Sequence, residues 1–78
     1  MKIRILNLPR DFSENELAAL FKTYGNIKDC SIVMDSETGK SKGFGFIEMA
    51  LAHEGEVAIK ELHGKKVGKD KIRVKMAN

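Results

Sequence analysis

Four short segments of the chain are rich in residues that favour β-strands, and polar or glycine-containing stretches separate them. They cover residues 3–8, 27–34, 43–49 and 72–76. In segments 43–49 and 72–76, neighbouring residues alternate between two kinds that differ in size or polarity. This alternation is typical of strands with one buried face. We therefore predict four strands at these positions.

Two other segments repeat hydrophobic residues at three- and four-residue spacing, which is typical of amphipathic helices. Ser13 precedes the first of them, and Glu16 follows three residues later, at the spacing of a capping box. We expect this helix to stop at Gly25, where a left-handed backbone costs least. The second helix is predicted over residues 52–63, with Gly55 inside it as a point of close approach to a sheet.

The order of these elements is βαββαβ, the split-βαβ arrangement of the ferredoxin-like fold. We predict an α+β sandwich in which a four-stranded antiparallel sheet carries both helices on one face. The other face of the sheet is then open to solvent. A chain of 78 residues supports one domain, which we assign to residues 1–78.

The third strand decides which side chains occupy the open face. Alternation places four side chains on one side of this strand, namely Lys42, Phe44, Phe46 and Glu48. Burying the two charged members of this set would be prohibitive without partners. We therefore predict that both phenylalanines point to solvent. The alternative is the inverted register, in which both rings belong to the hydrophobic core.

Two exposed aromatic rings on a sheet indicate a ligand with flat faces. Nucleic-acid bases fit, because stacking one base on an aromatic side chain contributes about 1–3 kcal/mol for any base. In the first and last strands, the same alternation exposes Arg4, Leu6, Lys71, Arg73 and Lys75. For the lysines a simpler role stays open, since charges on an edge strand also prevent aggregation.

The segment Lys42–Met49 resembles the RNP1 octamer of the RNA-recognition motif (RRM) family, whose pattern is K/R-G-F/Y-G/A-F-V-x-F/Y. It departs from that pattern by Ile47 in place of valine and Met49 in place of an aromatic residue. Residues 3–8 resemble the RNP2 hexamer of the first strand. The likeness extends over the whole chain, which is also similar to the small single-RRM proteins of bacteria.

This resemblance implies roles for individual residues. Phe44 and Phe46 would contact bases or sugars, and Lys42 would contact a backbone phosphate. Arg4 stands where RNP2 typically supplies a third aromatic residue. A guanidinium plane also stacks on a base and attracts phosphate, so the resemblance implies an altered site at this position.

Charge and reactive side chains narrow the class of function. Fourteen Lys and Arg against eleven Asp and Glu give a net charge of +3, which mildly favours an anionic partner. Cys30 is the one cysteine, so the chain has no internal disulfide and no cysteine-based zinc site, and a reducing compartment suits it. His53 and His63 have no nucleophile at a suitable spacing, and no apolar run has the length of a membrane span.

We therefore predict a monomeric, cytoplasmic module that binds single-stranded RNA, with no catalytic activity, no cofactor, no metal and no contact with a membrane. The predicted RNA-binding residues are Arg4, Leu6, Lys42, Phe44, Phe46, Arg73 and Lys75. Two alternatives stay open. Single-stranded DNA offers the same bases and phosphates, and the same fold could instead serve as a protein–protein interaction module.

Overall fold

The computed structural model describes residues 1–77 and has the predicted order of elements, with one short hairpin added. The helices are α1 (Glu14–Lys22) and α2 (Ala52–Leu62). The strands are β1 (Lys2–Leu6), β2 (Ile27–Met34), β3 (Ser41–Met49), β4 (Lys66–Val67), β5 (Asp70–Lys71) and β6 (Arg73–Met76). Within the described residues, no helix is long and apolar enough to cross a membrane.

Four of the strands form one antiparallel sheet in the order β2–β3–β1–β6. At the centre, Ile5 of β1 pairs with Gly45 of β3 on one side and with Val74 of β6 on the other. Both helices contribute to a single hydrophobic cluster with the buried residues of this sheet. The predicted ferredoxin-like sandwich is confirmed.

Burial alternates along the whole of β3 and fixes the orientation of this strand. Ile47 and Met49 are completely buried, whereas Phe44 and Phe46 are only partly buried. Neither ring belongs to the core cluster or to the partly buried residues packed against it. The rings therefore lie outside the core, as the alternation predicts, and the inverted register is wrong.

Gly45 lies between the two phenylalanines and faces inward, where there is no room for a side chain. A Cβ atom at this position would be 2.5 Å from the carbonyl oxygen of Ser31 and 3.3 Å from Cδ2 of Leu17. The first of these neighbours is the backbone of β2, which cannot retreat without distorting the sheet. Glycine at this position therefore allows β3 to pack closely while its aromatic side chains point outward.

Helix α1 begins as predicted but ends differently. The Ser13 hydroxyl accepts the backbone N–H of Glu16 at 3.1 Å, and the Glu16 carboxylate accepts the N–H of Ser13 at 3.0 Å, which completes the capping box. The helix ends at Lys22, and Gly25 does not adopt a left-handed conformation. The predicted reason for this glycine is wrong, because its role is spatial: a Cβ there would overlap the side chain of Glu54.

Gly55 of α2 is predicted as a point of close approach to the sheet, but only the flexible side chain of Met1 would crowd a Cβ atom there. It is buried, and a Cβ atom would overlap Sδ of Met1 and lie 3.5 Å from Cδ1 of Ile3. Helix α2 has no side-chain N-cap, and Gly64 follows its C-terminus with a left-handed φ of 82°. This glycine leads the chain directly into the hairpin.

The segment between α2 and the last strand of the sheet, where no strand is predicted, forms the β4–β5 hairpin. In this hairpin Lys66 pairs with Lys71, and Val67 pairs with Asp70. Each strand has two residues, which is too short for an alternating pattern to be recognised. Lys71 was predicted to be exposed next to the last strand of the sheet. It belongs instead to the hairpin strand β5, and β6 begins at Arg73.

We expect Gly45→Ala to destabilise the domain by about 1–3 kcal/mol, because the added methyl group meets the β2 backbone. Urea unfolding measures this loss. Ser36→Ala, in the exposed loop before β3, is the control and should change the free energy of unfolding by less than about 0.5 kcal/mol. Equal stability of the two variants would contradict the close approach of β3 to β2.

Cys30 packs against the core from β2, and its Sγ lies 3.5 Å from the carbonyl oxygen of Glu14. Burial raises the pKa of this thiol, and the carboxylates of Glu14 and Asp29 raise it further. Less thiolate is then present at pH 8 than in the unfolded chain. We expect iodoacetamide to alkylate the folded domain more slowly than the urea-unfolded chain, with the difference narrowing as the pH rises. Equal rates at pH 8 would contradict this assignment.

Candidate nucleic-acid interface

Phe44 and Phe46 form the centre of the open face of the sheet. Their ring centroids are 6.4 Å apart, and their planes meet at 82° in an edge-to-face contact. This is a favoured geometry for an aromatic pair. Because the planes are nearly perpendicular, the two rings offer flat surfaces in two different directions.

Each ring begins a row of three residues that crosses β3, β1 and β6. One row consists of Phe46, Arg4 and Lys75, and the other consists of Phe44, Leu6 and Arg73. Neighbouring strands lie about 4.8 Å apart, so each row runs about 10 Å from a ring to a cation. The sheet thus brings together six of the seven predicted RNA-binding residues.

Lys42, the seventh predicted residue, is exposed and lies outside these rows. It lies in an irregular part of the sheet, between Ser41 and Gly45 of β3, where the pairing with β2 shifts. Gly43 has a left-handed φ of 85° here, and its N–H donates to the Ser41 hydroxyl at 3.0 Å. Lys42 is therefore at the rim of the aromatic surface.

Lys2 is a residue of this face that the sequence analysis missed. Its Nζ lies over the ring of Phe46, 5.2 Å from the centroid, which is within the range of a cation–π contact. The predicted first strand began one residue later, at Ile3. Extending the same alternation back by one position would have placed Lys2 on the open face with Arg4.

Acidic side chains occupy one end of the open face. Glu48 of β3 pairs with Lys2 on one side and with Asp29 of β2 on the other. The cations Arg73 and Lys75 lie on β6, at the opposite edge of the sheet. The face is therefore electrostatically polarised, with its anion-attracting side along β1 and β6.

The reactive side chains lie away from this face or serve the fold. Nδ1 of His63 accepts the backbone N–H of Val74 at 3.0 Å, which ties the end of α2 to β6. Cys30 packs against the core. Among residues 1–77, no three His, Cys, Asp or Glu side chains are grouped so that they could hold a metal ion.

Two curated proteins resemble the chain over most of its length. It is 39% identical over 77 residues to glycine-rich RNA-binding protein 1 of Mycosarcoma maydis, covering 99% of this chain and 44% of that protein. It is 42% identical over 64 residues to the putative RNA-binding protein RbpA of Synechocystis, covering 82% of this chain and 63% of that protein. The chain thus spans less than half of the fungal relative.

The fold has a similarly close match among solved structures. A SXL-lethal protein/RNA complex superposes with a TM-score of 0.94 at 34% sequence identity, covering 99% of this chain and 46% of that one. The family model described as the RNA recognition motif matches residues 3–73. Together with the β2–β3–β1–β6 sheet and the RNP1-like segment on its middle strand, these matches show that the chain belongs to the RNA recognition motif family.

Proposed function

We propose that this domain binds single-stranded RNA on the open face of its sheet, by stacking bases on Phe44 and Phe46 and by neutralising phosphates with nearby cations. The observation that carries the proposal is the pair of half-buried rings outside the core, each followed by a row that ends in a cation. The names of the two relatives, glycine-rich RNA-binding protein 1 and putative RNA-binding protein RbpA, support the choice of RNA. So does the RNA complex formed by a protein of the same fold.

Because the two rings are nearly perpendicular, Phe44 and Phe46 contact the RNA in different ways. One base cannot lie flat on both rings, so the face of one ring stacks a base while the other meets the neighbouring base or its sugar. Leu6 is the apolar residue between Phe44 and Arg73 in its row. Along the other row, Arg4 and Lys75 are the phosphate contacts, and Arg4 can also stack through its guanidinium plane.

Lys42 completes the proposed contact set from the rim of the face. It is exposed, and it precedes Phe44 by two residues on the same strand. The chain is not regularly extended between them, since Gly43 is left-handed, but two residues span at most about 7 Å, so the Lys42 ammonium group can meet a phosphate next to a base on Phe44. Lys42 thus adds a cation on β3 to those on β1 and β6.

We also propose that the domain acts as a monomer in the cytoplasm, without catalysis. Side chains accept hydrogen bonds from N–H groups on both edge strands, so these N–H groups do not pair with a second sheet. On β2, the N–H groups of Cys30 and Ile32 donate to the carboxylates of Asp29 and Glu14, at 2.9 Å and 3.2 Å. On β6, the N–H of Val74 donates to His63.

The double substitution Phe44→Ala with Phe46→Ala should weaken RNA binding by about 2–5 kcal/mol, because two stacking surfaces are lost. A fluorescence titration with a short single-stranded RNA measures this. Loss of the edge-to-face contact and of the cation–π contact with Lys2 should lower the free energy of unfolding by about 1–3 kcal/mol, without unfolding the domain.

The matched control is Leu51→Ala with Val57→Ala, which removes two exposed hydrophobic side chains at the start of α2 and within it. It should leave RNA affinity unchanged. Wild-type affinity in the phenylalanine variant would rule out stacking on these rings.

Equal affinity for RNA and DNA of the same sequence would show that the site reads bases and phosphates rather than 2′-hydroxyl groups.

The salt dependence of binding tests the cationic part of the proposal. Each neutralised phosphate of a single strand contributes a slope of about −0.7 in log K against log salt; a four-nucleotide RNA has about three phosphodiester groups, so contacts with all of them predict a total of about −2. Titrations with a four-nucleotide RNA between 50 and 200 mM salt give this slope. A slope near zero would rule out the proposed phosphate contacts but would not argue against base stacking on the rings.

A further inference from the structure

The positive charge of the chain is concentrated in one short segment. Residues 65–75 carry six cations and one carboxylate, a net of +5, while the whole chain carries +3 and the remaining residues therefore carry −2. The six cations are Lys65, Lys66, Lys69, Lys71, Arg73 and Lys75. Only the last two belong to the main sheet, and the others lie in or next to the β4–β5 hairpin.

The hairpin holds two lysines in direct opposition. Lys66 of β4 pairs with Lys71 of β5, and Val67 pairs with Asp70. Val67 packs against the hydrophobic core, so alternation turns Lys66 and Lys71 to the solvent side. Directly opposed side chains have Cβ atoms about 4.5–5.5 Å apart, and like charges in such a pair are destabilising. An anion bound between the two ammonium groups would remove this repulsion.

The hairpin is also fixed to the end of the open face. The side-chain amide of Asn7, just after β1, donates to the carbonyl oxygen of Lys71 at 2.9 Å. The N–H of Ile72 donates to the carbonyl oxygen of Lys65 at 3.0 Å, and the N–H of Gly64 donates to that of Ile72 at 2.8 Å. These bonds continue the hairpin pairing up to Ile72, the residue before β6. The lysines are therefore held next to the sheet by a hydrogen-bonded backbone.

Alternation along this backbone produces a row of cations that passes from the sheet onto the hairpin. Lys75, Arg73 and Lys71 are exposed, whereas Ile72 and Val74 between them are buried. Successive members of the row are two residues apart, which is about 6.7 Å along an extended chain. Lys66 then stands opposite the last of them. A strand whose phosphates follow Arg73 and Lys75 would reach this lysine pair next.

We propose that the β4–β5 hairpin is a second phosphate-binding site, in which Lys66 and Lys71 together hold the RNA backbone where it leaves the sheet beyond Arg73. The inference rests on the proposed function, because it extends the same RNA strand. It assigns no base recognition to the hairpin, since no aromatic side chain lies in residues 65–75. Its contribution is length-dependent affinity: an RNA long enough to reach the hairpin gains contacts that a short one lacks.

The experiment compares oligouridylates of four and ten nucleotides between 50 and 200 mM salt. Two additional phosphate contacts make the slope for the longer RNA steeper by about 1.4, so the wild-type domain should lose about sevenfold more affinity for it over this range. In Lys66→Gln with Lys71→Gln, the slope for the ten-nucleotide RNA should fall to that of the four-nucleotide RNA. Binding of the four-nucleotide RNA should not change.

The matched control is Lys22→Gln with Lys60→Gln, which removes the same charge from the last turns of the two helices. It should keep the steeper slope, and an equal effect of both variants would reduce the proposal to net charge and overturn it. Equal wild-type slopes for the two RNAs would overturn the hairpin site alone. If the wild-type domain bound neither RNA, the proposed function would fail as well. Thermal unfolding of the hairpin variant should occur at or above the wild-type temperature, because a like-charge pair is gone.

Discussion

The close packing of β3 between its neighbours determines both the core and the candidate site. Gly45 faces inward at a point where a Cβ would lie 2.5 Å from the β2 backbone, and Ile47 and Met49 fill the core beyond it. Since side chains alternate along a strand, Phe44 and Phe46 must then point to the other face. The aromatic surface is thus a direct consequence of how the strand is buried, and it requires no separate structural element.

The features predicted from sequence are those that depend on local periodicity. The capping box of α1 needs only two residues at a fixed spacing, and the orientation of β3 follows from charges at both ends of an alternating segment. Features that depend on distant residues were missed. The space beside Gly25 belongs to Glu54 of α2, and no pattern near Gly25 indicates this contact. Lys2 was missed because strand boundaries are the least certain part of a sequence-based assignment.

The candidate site was predictable in composition but not in arrangement. Alternation placed Arg4, Leu6, Arg73 and Lys75 on the open face, yet only the register of β1 with its two neighbours shows which of them share a row with which ring. The hairpin was beyond this reasoning, since two-residue strands have no period to detect. Its opposed lysines are recognisable only once the pairing of Lys66 with Lys71 is known.

In the free domain, the ammonium group of Lys2 covers one face of the half-buried Phe46 ring. A cation over an exposed ring contributes about 0.5–1 kcal/mol, whereas a stacked base contributes about 1–3 kcal/mol. In the proposed RNA complex, a base that takes the same face of Phe46 would therefore displace the ammonium group with a net gain. The displaced side chain still belongs to the edge of the same face, where its charge can meet the phosphate of the incoming nucleotide. The ring thus keeps a favourable contact in the free state without blocking a ligand that stacks more strongly.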